Sequence, residues 1–165
     1  MKEALVIVHL SSLDAYTDMS YDAEGHGVHG EELAFEISRA IRTHRGPVYI
    51  IDQGWEIEDS RASRPRAELL EEIKSRKDIV WMHFDEADEE WGPFLRELRK
   101  RLRDDGVTRA RVGGIWYHYD ETEGCATEVA VHLRKLMPIK VDPSLVGCES
   151  DFMWPEDEEE EGEED

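Results

Sequence analysis

Along residues 4–142 the apolar positions switch repeatedly between two patterns. Short continuous runs at ALVIVHL (4–10), PVYIID (47–52), DIVWMHF (78–84) and RARVGGIWYH (109–118) are rich in β-branched and aromatic residues, with PIKVD (138–142) as a shorter fifth. Runs of this length read as strands buried on both faces. The segments between them repeat every three to four residues, as a helix with one buried face requires. EELAFEISRAIRTHR (31–45) places Leu33, Phe35, Ile37, Ala40 and Ile41 mainly on one stripe and stops at Gly46-Pro47. PRAELLEEIKSR (65–76) opens with proline in its first turn and carries Leu69, Leu70 and Ile73. GPFLRELRKRLRDDG (92–106) turns Phe94, Leu95, Leu98 and Leu102 inward beneath a basic outer face and closes at Gly106. ETEGCATEVAVHLRKL (121–136) is the fourth helix, with Thr122 as its expected cap.

Strands separated by helices pair in parallel through crossovers. The expectation is therefore a three-layer α/β/α domain with a mainly parallel, Rossmann-like sheet over residues 1–150. Residues 151–165 form an acidic tail without periodicity, expected to be disordered. The loop 11–30, SSLDAYTDMSYDAEGHGVHG, is long and glycine-bearing, a length often given to function.

Charge narrows the partners. The chain carries −20, and nine acidic residues in 156–165 account for almost half of it, leaving about −11 elsewhere. Such a field repels a phosphate backbone, so nucleic acid is excluded as a partner. Two cysteines in 165 residues, Cys125 and Cys148, do not make a disulfide framework. MKEALVIVHL lacks the layout of a secretory signal, and no apolar run nears the ~20 residues of a membrane span. The expectation is a cytoplasmic protein with no membrane association.

In open parallel sheets, ligands bind beyond the carboxyl ends of the strands. That rule selects His9, Asp52, His83, Tyr117 and His118 at strand ends, and Cys125 at the start of the following helix. Trp55, Trp81 and Trp116 are candidate walls for a small-molecule pocket. The free amides of a helix start favour a thiolate and can hold an oxyanion, although Asp120, Glu121 and Glu123 oppose added negative charge. His26 and His29 in GHGVHG have no cysteine pair beside them and read as a solvated loop rather than a metal site. GxxxxGK[ST] does not occur.

The stretch RVGGIWYHYDETEGCATEVAVHL, with Gly113, Gly114, Ile115, Cys125, Ala126, Val129 and Ala130, resembles the isochorismatase-like cysteine hydrolases, the superfamily that includes nicotinamidases. ALVIVHL resembles that family's first strand, and WGPFLRELRKRLRDDGVTRARVGGI its third helix and fourth strand. The resemblance spans roughly residues 4–147 and is specific around Cys125. It implies the isochorismatase-like fold, shortened at the C-terminus, and a cysteine nucleophile. The family's strand-one aspartate and its lysine after strand three have no counterparts, since His9 and HFDEADEE stand there. DQGWEIE keeps Asp52 of the nicotinamidase metal set but no histidine.

Two functions follow. One is hydrolysis of a small-molecule amide or related carbonyl by Cys125, with His9 as base and His83, Trp116, Tyr117 and His118 binding substrate, without cofactor or metal. The other is a degenerate, non-catalytic member serving binding or assembly, expected as a homo-oligomer. A metal site built from His9, Asp52, His83 or His118 is a third alternative.

Overall fold

The computed structural model describes residues 2–8, 30–52, 64–84, 90–115, 117, 121 and 124–147. In chain order the elements are β1 (Glu3–Val8), α1 (Gly30–Thr43), β2 (Val48–Asp52), α2 (Arg64–Ser75), β3 (Ile79–His83), α3 (Trp91–Asp104), β4 (Arg109–Ile115), α4 (Cys125–Arg134) and β5 (Ile139–Gly147). The five strands form one sheet in the order β3-β2-β1-β4-β5. Every neighbouring pair is parallel. This is the mixed α/β, Rossmann-like arrangement that the alternation of patterns predicts.

β1 and β2 are mainly apolar and almost wholly buried, whereas β3 at the edge is only part-covered. Ala4, Val6 and Val8 of β1 join Tyr49, Ile51, Ala110 and Val112 in one cluster with Phe94, Leu95, Leu98 and Leu102 of α3 and Cys125, Ala126, Val129, Ala130 and Leu133 of α4. Leu5, Ile7, Val48 and Ile50 form the other cluster with Leu33, Ala34, Ile37, Ala40 and Ile41 of α1 and Leu69 of α2. Alternation along each strand thus divides the core between two helix pairs.

The chain steps outward from β1 through β2 to β3, then returns to place β4 on the other side of β1 and β5 beyond it. The direction of winding reverses between β1 and β4, the position at which parallel sheets open a crevice at their carboxyl ends. Gly114 makes this close approach workable. Its φ is +111, and a Cβ there would fall on the backbone N and O of Val8.

Three expectations need correction. Phe35 is 52% exposed, and Ala34 takes the inward position instead. At 100° per residue, 33, 34, 37, 40 and 41 share an arc from which 35 points away. The helix after β4 begins at Cys125, with Gly124 rather than Thr122 in the capping position and no side-chain cap bond. β5 runs on to Gly147, because its pairing with β4 jumps from Val112↔Val141 to Gly114↔Val146. Pro143, which has no N–H to give a ladder, lies inside that irregularity. The neighbouring turn is held by Ser144 N–H donating to Asp142 Oδ1 at 3.0 Å.

Arg76 gathers several acceptors at the end of α1. Arg76 donates to the backbone oxygens of Ile41 (2.6 Å), His44 (2.7 Å) and Gly46 (2.6 Å). Its Nε also pairs with Asp78 at 2.6 Å. Ile41 O is one of the carbonyls a helix end leaves without an intrahelical donor, and His44 O and Gly46 O belong to the turn that follows. Arg76→Ala is expected to cost about 2–4 kcal/mol, since several part-buried acceptors lose a charged donor together. Arg76→Lys, which cannot form the planar fork, should recover only part of that loss in urea unfolding.

Candidate functional site at the carboxyl edge of the sheet

Beyond the carboxyl ends of β1 and β4 the chain delivers Cys125 at the first position of α4. Gly124, with φ +112 and ψ 148, makes the non-helical step into the helix. The first intrahelical bond runs from Glu128 N–H to Gly124 O at 2.9 Å, so the amides of residues 125–127 precede the helical ladder. The Cys125 side chain is 3% exposed and packs in the cluster shared by α3, α4 and β1. Its surroundings on the helix are small and apolar: Ala126, Val129 and Ala130 lie flat against the sheet, which lets α4 approach closely.

Tyr117 anchors the connection between β4 and α4. Its backbone N–H donates to Gly147 O at 2.9 Å, and its phenol donates to Glu121 Oε2 at 2.8 Å. The other Glu121 oxygen accepts from Arg134 Nη1 at 2.6 Å, so the loop is clamped to the last turn of α4. Glu121 takes a positive φ of 56 to make this reach. The Arg134 guanidinium, with help from Tyr117, holds the Glu121 carboxyl below its usual range. Tyr117 is therefore committed to shaping the loop before Cys125, with its ring in the core at 7% exposure.

Burial, and then the hydrogen bond to Glu121, push the Tyr117 phenol up to about 12. A folded-state pKa above the unfolded value of about 10 means that the folded chain prefers the neutral phenol. The contribution of Tyr117 to stability is complete below pH ~10 and is lost as pH rises toward 12. Tyr49, buried and donating to Asp105 Oδ2 at 2.6 Å, is pushed up as well, so spectrophotometric titration should show more than one late-ionising tyrosine, one of which Tyr117→Phe removes, and the same variant should flatten the fall in stability across that window.

The other sequence-selected residues divide. His83 ends β3 in register with Asp52 of β2 and is exposed. Alternation from Val80 and Met82, which face the α3 and α4 side, puts His83 on the opposite face of the sheet from Cys125. β2 and β1 also stand between β3 and β4, a separation of about 14 Å at three strand spacings. Asp52 is fully buried, and its carbonyl accepts from Phe84 N–H at 2.9 Å. Trp81, expected as a pocket wall, lies on the edge strand and is 37% exposed. The structure thus brings Tyr117 and Cys125 to one loop and leaves His83 apart. His9, Trp55, Trp116 and His118, with the loop 11–30, Cys148 and the acidic tail, lie outside the described residues.

Among the described residues no three His, Cys, Asp or Glu side chains form a metal-binding group. No helix among them is long and apolar enough to cross a membrane. The Glu121 clamp was not foreseen from sequence, where Glu121 read as one more unfavourable charge near Cys125. Its pairing with Arg134, 13 positions on, neutralises it. No protein-family model matches this chain, and no curated protein matches it.

Proposed function

We propose that the chain is a hydrolase of the isochorismatase-like type, with three α/β/α layers, in which Cys125 attacks a small-molecule amide or related carbonyl. The observation that carries this is the placement of Cys125 at the first position of α4, immediately beyond the β1/β4 reversal. The two core clusters, one with α3 and α4 and one with α1 and α2, support the layered arrangement.

The chemistry follows from that placement. The Cys125 thiol gives its proton to a base, which we assign to His9, the residue after the last one of β1, and the resulting thiolate adds to the carbonyl carbon. Amides at the start of α4 stabilise the oxyanion. The amine takes the proton as the C–N bond breaks, leaving a thioester. Water, deprotonated by the same base, then releases the acid and restores the thiol. Trp116, Tyr117 and His118 belong to the β4–α4 connection that borders this position, Tyr117 by fixing the loop. His83, across the sheet, would meet only an extended substrate.

Iodoacetamide separates this from a purely structural thiol. Native protein should carboxamidomethylate at Cys125 between pH 6 and 9, mapped by peptide mass, and Cys125→Ser should remove that adduct. Labelling of Cys125 only after unfolding would mean that its burial serves packing alone.

A second reading, a binding or assembly module, rests on β3. This edge strand exposes Trp81 and leaves Ile79, Val80 and Met82 part-covered. Unpaired edges with apolar side chains invite another chain. Sedimentation giving a monomer at every concentration removes this reading.

A further inference from the structure

The opposite edge of the sheet, where the strands begin, holds a cleft of about 920 Å³ that the Cys125 site does not use. Its charged walls are Lys2, Glu3, His44, Arg45, Asp78 and Arg111. Three cations, Lys2, Arg45 and Arg111, meet two carboxylates there, in a chain of net charge −20. Its two carboxylates are already engaged: Glu3 Oε2 pairs with Arg109 Nε at 3.1 Å and Asp78 Oδ1 with Arg76 Nε at 2.6 Å. Lys2 Nζ is engaged too, donating to Asp105 O at 2.6 Å.

Arg111 and Arg45 remain. Arg111 comes from β4 beside Leu5 of β1, on the face covered by α1. Its Nη1 reaches Asp142 only at 3.5 Å, and its buried Nε has no acceptor. A buried guanidinium N–H without an acceptor is a costly arrangement, and a quarter of the Arg111 side chain remains open to a bound group. Arg45, which lines the same cleft, has no ion-pair partner among the described residues. His44 Nε2 lies 2.9 Å from Glu3 O, so its neutral ring donates there. Burial above all, with the charges of Arg111 and Arg76, holds His44 below its usual pKa. Arg111, with an unmet Nε and a long contact to Asp142, and Arg45 are thus the cleft's spare donors.

We propose that this cleft binds a small oxyanion, the phosphate or carboxylate group of a small molecule, with Arg111 as principal donor and Arg45 as the second. A guanidinium fork matches either group through paired N–H bonds. The site lies on the edge remote from Cys125 and stands whether or not that thiol is catalytic.

The test titrates the full chain at pH 7 with inorganic phosphate in one arm and malonate in another, at constant ionic strength set with sodium chloride. Saturable one-site binding with a Kd on the order of millimolar or tighter is expected in at least one arm, and the arm identifies the oxyanion class. The His44 imidazole resonances should move with the same saturation curve. Arg111→Met should weaken binding roughly tenfold or more, Arg45→Gln a few fold, and Arg99→Gln on the outer face of α3 not at all. Should Arg111→Met fail to fold by circular dichroism, the Arg45→Gln affinity and the His44 shifts decide. Absence of saturation in both arms, unmoved His44 resonances, or wild-type affinity in the decisive variant overturns the proposal.

Discussion

Cys125→Ala is expected to reduce hydrolysis of small primary amides or activated esters by about a thousandfold or more, equivalent to roughly 4 kcal/mol of transition-state stabilisation. The size follows from the mechanism: nucleophile and base act as a unit, and removing either leaves only binding and oxyanion contacts. Stability should change much less. Alanine is compatible with the small, apolar contacts of the α4 start, where Ala126, Val129 and Ala130 already pack against the sheet, so the loss in urea unfolding should stay near 1 kcal/mol. A variant that unfolds would instead attribute lost turnover to packing. Hydrolysis that survives in a folded Cys125→Ala protein assigns the reaction to another residue.

The second large effect is on the frame itself. Gly114→Ala is expected to destabilise the domain by roughly 3 kcal/mol or more, or to prevent soluble expression. Two costs coincide. At φ +111 an L-residue is strained whatever space it has. The added Cβ would also fall on the backbone of Val8, which cannot rotate away as a side chain could. β1 and β4 would have to separate where the winding reverses, and the Cys125 edge would open with them. Gly113→Ala, by comparison, meets Leu145 Cβ at 2.6 Å and the Ile7 side chain at 3.2 Å. The Leu145 Cβ and its carbonyl at 3.0 Å are fixed to β5, so a loss is expected here too, lower than at Gly114 because no positive φ adds strain. Equal stability of Gly114→Ala and wild type would contradict the described approach of the two strands.

These two predictions concern features that the sequence reveals to different degrees. The alternation of apolar runs and amphipathic segments identifies the five strands and four helices among the described residues, because strands as fully buried as β1 and β2 leave a continuous apolar signature. Boundaries fare less well where local chemistry competes. The Asp142-Pro143-Ser144 turn reads as the end of a strand, yet β5 resumes after it, since Leu145, Val146 and Gly147 return to the sheet. Phe35 illustrates the opposite error, an aromatic residue assigned inward for its character although helical geometry turns it outward.

The candidate site is legible only in part. Cys125 was identifiable from RVGGIWYHYDETEGCATEVAVHL because glycines, small residues and a cysteine fall at a strand end and helix start. Its partners come from other strands, and strand order is not written in any local pattern. Only the order β3-β2-β1-β4-β5 places His83 far from α4, and only the side-chain parity of β3 puts it on the other face. The Tyr117–Glu121–Arg134 clamp and the Arg111 cleft are likewise long-range, joining residues that propensity and spacing do not connect.

The central claim is that Cys125 forms a covalent intermediate at the β1/β4 edge. Acid quenching of a single turnover with an activated ester, followed by peptide mass analysis, tests it most directly. The account predicts one acyl group on the peptide containing Cys125, discharged by hydroxylamine and absent in Cys125→Ser. Turnover without any adduct on Cys125, or an acyl group carried only by Cys148, contradicts it.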